Sequence, residues 1–155
     1  NSAYRGEDSK KGWTTEADLI AGEVRTSSES LQKIIEQPNS VMLKFTDSTK
    51  NIVGCVNLQQ HDAKIYLGML SVSPILQKAG IGKQLLAAAD EYALQQNCSS
   101  IYMTVITQRT ELINWYNRHG YSDTGERKPF IEDDETGKHL QKLEFMVLEK
   151  NLIPA

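Results

Sequence analysis

The sequence predicts a mixed α/β fold, a mostly antiparallel sheet flanked by helices. Three observations predict it. Short β-prone runs separated by turn residues recur between residues 41 and 73, as neighbouring antiparallel strands do. A glycine pair, Gly80 and Gly82, opens a long helical stretch that runs to about Asn97. An apolar run follows it at once, and strand–helix–strand order demands a parallel crossover, right-handed by rule.

Taken in order, Thr15-x-x-Asp18 reads as a capping box for a short helix, Glu16 to Ala21, which Gly22 ends. Thr26-x-x-Glu29 opens a second helix with Leu31, Ile34 and Ile35 on one face, and Pro38 stops it. Val41 to Phe45 and Ile52 to Leu58 are strands joined by a turn from Asp47 to Asn51. Residues 64–73 form the third strand, Gly80 to Asn97 the main helix, and Ser100 to Thr107 a strand with an apolar face. Thr110 to His119 is a helix ended by Gly120, which suits a left-handed C-terminal residue. Tyr121 to Glu126 and Gln141 to Lys150 are the last strands. Between them, the acidic run Glu132 to Glu135 and Gly137 read as a solvated tip and its turn.

With 155 residues the chain reads as one domain, 1–155, able to bury a substantial core. A net charge of −3 gives no basis for nucleic acid or an anionic membrane as partner. No apolar run approaches a membrane span, and the N-terminus is polar. Cys55 and Cys98 lack metal-ligand spacing, so no metal is expected, and a cytoplasmic setting is the default.

The chemistry concentrates in Val72-Ser73-Pro74-Ile75-Leu76-Gln77-Lys78-Ala79-Gly80-Ile81-Gly82-Lys83. A strand, a short loop and a glycine-rich helix start place unpaired backbone N–H groups and the positive end of a helix dipole around one point. That arrangement suits a phosphate or pyrophosphate. Glycine at 80 and 82 removes the Cβ that would keep an anion away.

Gln77-x-x-Gly80-x-Gly82 resembles the acetyl-CoA signature of the GNAT superfamily of N-acetyltransferases. Trp115-Tyr116-Asn117-Arg118-His119-Gly120-Tyr121 is similar to that superfamily's later motif, an aromatic pair on a helix running into Gly-aromatic. The likeness covers the chain from about Trp13 to Leu148 and implies a GNAT-like sheet splayed at the CoA-binding strand. The superfamily's first strand has no counterpart here, and Asn1 to Tyr4 looks like the tail of its first helix.

The resemblance implies acetyl-CoA as co-substrate. Its pyrophosphate would sit on the backbone of Lys78, Ala79, Gly80, Ile81, Gly82 and Lys83, with Gln77 and Lys83 adding side-chain contacts. Its peptide-like arm would pair by strand addition with Leu70, Ser71 and Val72, whose side chains pack in the core meanwhile. The same strand's N–H groups would stabilise a developing oxyanion. Tyr116 matches the superfamily's general acid, and a phenol of pKa about 10 can protonate a departing thiolate. Trp115 and Tyr121 read as packing residues.

The base is less defined. Some members carry a glutamate six positions before the residue matching Val72, where this chain has Tyr66. Glu16 is the candidate for acceptor contact or base, and a water relay is the alternative. His61 at a turn and His119 at a helix end read as solvated. Arg109 stands where many members have an asparagine that touches the cofactor arm. It would hold a CoA phosphate or a substrate carboxylate, or make a surface ion pair with Glu111 or Glu126.

The expected activity is transfer of an acetyl group to a primary amine, on a small molecule or peptide, by direct attack in a ternary complex. Activity should rise with pH until the acid deprotonates. A homodimer is compatible with the resemblance. A CoA-binding sensor with the same fold is the second reading. A nucleotide-binding protein is the third, against which stands the missing Gly-x-x-x-x-Gly-Lys-Ser/Thr.

Overall fold

The structure, a computed structural model, describes residues 28–77, 79–130, 139–140 and 143–152. Helix α1 (Ser28–Ile35) leads into β1 (Ser40–Thr46), β2 (Ile52–His61) and β3 (Lys64–Val72). A 3₁₀ turn at Pro74–Leu76 precedes α2 (Ile81–Gln95), then β4 (Ser100–Ile106), α3 (Thr110–Arg118), β5 (Ser122–Pro129) and β6 (Glu144–Asn151). Among the described residues six strands form one sheet in the order β1-β2-β3-β4-β6-β5. Every neighbouring pair is antiparallel except β3 with β4, which are parallel on either side of the α2 crossover. The mixed fold and the mostly antiparallel sheet are as expected. The helix expected at Glu16 to Ala21, the Thr26 cap, the segment Asn1 to Tyr4 and the acidic tip all lie outside the described residues.

The β1–β2 turn forms because Asp47 Oδ1 accepts the N–H groups of Thr49 (2.9 Å) and Asn51 (3.0 Å). These bonds, with the Thr49 hydroxyl first among them, hold the Asp47 carboxyl below its ordinary range. β2 continues three residues past the expected Leu58, through Gln59 and Gln60, and closes on β3 by a two-residue turn with Asp62 at φ 55°.

The core lies between α2 and the sheet. Ile81, Leu85, Leu86, Ala89 and Ala93 of α2 cluster with Val56, Leu58, Ile65, Leu67, Ile101, Met103 and Leu148. Gly54 sets how closely α2 approaches. A Cβ there would come within 2.9 Å of the Ile81 side chain and 3.2 Å of Leu85. Tyr116 and Tyr121 join this core, their rings edge to face at 5.8 Å. Among the described residues no helix is long and apolar enough to cross a membrane.

Candidate active site

β3 and β4 pair only at Lys64–Ser100, Ile65–Ile101 and Tyr66–Tyr102. Beyond Tyr66 the two strands part, and Leu67 to Val72 has no partner in β4. The expected splay is therefore present on the expected strand. A bulge accompanies it. Met69 adopts φ 57°, and the register with β2 slips between Cys55 and Asn57. The Met69 carbonyl, turned out of the ladder, accepts the Ser71 hydroxyl at 3.1 Å and lies 3.8 Å from Cys55 Sγ. Burial raises the Cys55 thiol above its usual range, so it stays protonated near neutrality. Cys98 is buried beyond the end of α2.

The loop after β3 tightens stepwise. Ser73 N–H donates to the Val53 carbonyl, Leu76 N–H to Ser73 and Ala79 N–H to Leu76, at 2.8 to 3.0 Å. Gln77 Nε2 donates to the Val72 carbonyl at 3.0 Å. One expectation changes here. The Ala79 N–H is engaged within the turn and is not available to an anion. The Gln77 amide nitrogen ties the loop to the end of β3 through this bond. Lys78 lies outside the described residues.

Gly80 then takes φ 80° and ψ 10° as the N-cap of α2, a left-handed conformation that costs a residue with a Cβ about 1 kcal/mol. A Cβ at this position would meet nothing within 4 Å, so the requirement is one of backbone angle alone. Among the described residues no side chain caps α2, and its first turn carries no acid. The N–H groups of Ile81, Gly82 and Lys83 thus begin the helix without a carboxylate competitor, beside the exposed Lys83 side chain.

Helix α3 brings the second motif to this point. A Cβ on Gly82 would stand 3.3 Å from two ring carbons of Trp115 and 4.0 Å from Val72. The glycine of the first motif, the end of β3 and the indole of the second motif therefore meet. His119 Nδ1 lies 2.7 Å from the Trp115 carbonyl and donates to it in the matching tautomer, with the two rings 4.5 Å apart. This makes His119 a half-buried brace for Trp115, where a solvated role was expected. His61 is exposed at the end of β2, as expected.

Tyr116 is 4% exposed, its ring against those of Trp115 and Tyr121. Arg109 is 3% exposed at the N-cap of α3, its N–H closing a turn on the Ile106 carbonyl at 3.0 Å. The Arg109 side chain therefore lies inside the fold and not on its surface. A guanidinium that far from solvent stays only where acceptors surround it. Glu16 lies outside the described residues. Thr104 escaped sequence reasoning; its Oγ1 lies 3.3 Å from Tyr66 Oη. Its only sequence signal was its place two residues past Tyr102 on a strand of alternating burial.

The acetyltransferase (GNAT) family profile matches residues 11–121. The chain belongs to this family. The ribosomal-protein-S18-alanine N-acetyltransferase of Escherichia coli shares its fold with a TM-score of 0.70 at 14% identity, over 90% of this chain and 84% of that one. Ard1 from Thermoplasma volcanium aligns with a TM-score of 0.70 at 15% identity, over 83% and 82%. The IAA acetyltransferase from Bacillus cereus aligns at 0.67 and 17%, over 83% and 87%. At such identities the likeness establishes the fold. Acetyl transfer is the activity that goes with membership of the family.

Proposed function

We propose that this protein transfers an acetyl group from acetyl-CoA to a primary amine, on a small molecule or a peptide, with both substrates bound together. The observation that carries the reading is the parting of β3 from β4 directly ahead of an uncapped, glycine-opened helix start. A peptide-like arm needs an unpaired strand, and a pyrophosphate needs free N–H groups at a helix dipole. Both needs fall at one end of the sheet.

When bound, acetyl-CoA supplies an acyl group activated as a thioester. In this reading the N–H groups of Ile81, Gly82 and Lys83 hold the pyrophosphate, and the Lys83 ammonium adds a cation. The backbone of Leu70, Ser71 and Val72 lines the arm. Trp115 closes the cradle over Gly82 and keeps water from that side. Tyr116 Oη holds the proton that the departing sulfur takes up. Glu16 remains assigned to acceptor contact or base, and Arg109, at the start of α3, to a CoA phosphate or a substrate carboxylate. A cytoplasmic setting belongs to the same proposal.

The deep burial of Tyr116 favours a second reading, a CoA-binding module without turnover, in which this phenol serves the core alone. One experiment separates the two. Acetyl-CoA, CoA and ATP are added separately and melting is followed; then acetyl transfer is assayed in wild type and Tyr116→Phe. Selective stabilisation by the two CoA species, with kcat lowered about a hundredfold in the variant, is the expected result. CoA stabilisation with no transfer to any amine would favour the module. Absence of stabilisation by either CoA species would overturn both.

A further inference from the structure

One row of cross-strand neighbours, Ser40, Gln59, Tyr66, Tyr102, Glu149 and Ser122, runs through all six strands. Every member carries a hydroxyl, an amide or a carboxylate. The row lies on the face away from α2. Along β3, Ile65 and Leu67 are buried in the cluster that holds Leu85 and Ala89, whereas Tyr66 between them is half-buried. β4 repeats the alternation, Ile101 and Met103 buried, Tyr102 and Thr104 half-buried. Among the described residues helix α2 covers the opposite face, and we take the polar face as the side from which a second substrate reaches the splay.

At the centre of that face the Tyr66 and Tyr102 rings stand 5.3 Å apart, tilted by 54°. Tyr66–Tyr102 is also the last pair joining β3 to β4. Thr104 is two residues further along β4, inside the splay, and its hydroxyl shares a 3.3 Å hydrogen bond with Tyr66 Oη. The two hydroxyls therefore bridge the fork where the strands separate.

We propose that Tyr66 Oη and Thr104 Oγ1 position the acceptor amine; the assignment rests on the acetyl-transfer reading above. A neutral primary amine has two N–H donors and one lone pair. Two adjacent hydroxyl oxygens take both N–H groups and leave the lone pair directed away from them, as a nucleophile requires. Each oxygen has two acceptor sites, so the bond between the hydroxyls survives. The Tyr102 ring offers a face to the first carbons of the acceptor or to its ammonium form on arrival. A secondary amine, with a single N–H, meets only half of the pair, so the site selects primary amines.

The test uses tyramine, spermidine and a tripeptide beginning with alanine as acceptors. Transfer and CoA-dependent melting are measured in wild type, Tyr66→Phe and Thr104→Val. Both substitutions keep the shape of the side chain, so the fold and the ring contact persist. At least one acceptor should be acetylated, with its KM raised about three- to tenfold in each variant and the shift with CoA unchanged. An unchanged amine KM in both variants would overturn the assignment. So would failure of all three acceptors with a wild-type protein that still shifts with CoA. A wild type that does not respond to CoA would instead remove the acetyl-transfer reading, and this assignment with it.

Discussion

The ring of Trp115 lies where a side chain on Gly82 would begin, 3.3 Å from the position of its Cβ. Helix propensity alone favours alanine over glycine by about 1 kcal/mol. Contact reverses the sign here, because Trp115 is backed by the Tyr116 ring at 5.1 Å and the His119 ring at 4.5 Å. Gly82→Ala should destabilise the protein by about 1 kcal/mol in urea unfolding. Trp115→Leu in the same chain should cancel that cost, and a double-mutant cycle with no coupling would disprove the contact.

Gly80 separates backbone angle from space. With φ at 80° and open surroundings, Gly80→Ala should cost about 1 kcal/mol, and Gly80→Asn clearly less. Thermal melts of the two variants give the comparison. An equal loss in both would mean that the angle is not what glycine supplies.

Two tyrosines of one aromatic cluster should behave oppositely. The Tyr121 hydroxyl is buried with no hydrogen-bond partner among the described residues. Burial, and then the charge of Asp90, push its ionisation up, so it stays neutral throughout the working range. Tyr121→Phe should leave stability unchanged or raise it by up to about 1 kcal/mol and leave acetyl transfer intact. Loss of kcat comparable with that of Tyr116→Phe would move Tyr121 into the chemistry.

Beneath Tyr121, the Lys150 ammonium holds Asp90 at 2.6 Å, and the lysine stem lies across Gly120. Both side chains are about three-quarters buried. Lys150→Met strands the carboxylate and should cost about 2 kcal/mol in chemical unfolding. Adding Asp90→Ala should recover part of that; a further loss would show that the aspartate has value without its lysine.

On the edge strand β5, Arg127 grips Asp123 with two bonds of 2.9 Å. That guanidinium, helped by the Gly125 N–H, lowers the Asp123 carboxyl to about 2. The folded value is depressed, so the contribution is complete above the unfolded value near 3.9. It disappears as pH falls toward 2. The melting temperature of Arg127→Met should thus trail wild type at pH 6 and meet it at about pH 2, with a smaller gap in high salt. A gap independent of pH would assign the effect to the arginine stem.

The strands with apolar alternation and both motif helices were legible, because burial writes a period into the sequence. What set the remaining boundaries was pairing. β2 runs on through Gln59 and Gln60, which carry no apolar signal, and β5 reaches Pro129 although all its residues are exposed. The glycine cradle was visible as a motif, yet nothing near Gln77 indicated that its amide would turn back onto Val72. The bulge at Met69 was equally hidden, since methionine has no affinity for positive φ. Arg109 is the clearest case. Its burial follows from where the turn after Ile106 folds, a property of the tertiary structure.

Three residue pairs are all that hydrogen-bond β3 to β4. The sheet is therefore two plates, β1-β2-β3 and β4-β6-β5, joined along a short seam with α2 lying over it. A molecule that lies down in the fork bonds to the open bank of one plate while its weight rests against the other. It acts as a suture. Amide exchange should slow on both banks together when the fork is filled, and the two plates should unfold as one body more sharply than they do when it is empty.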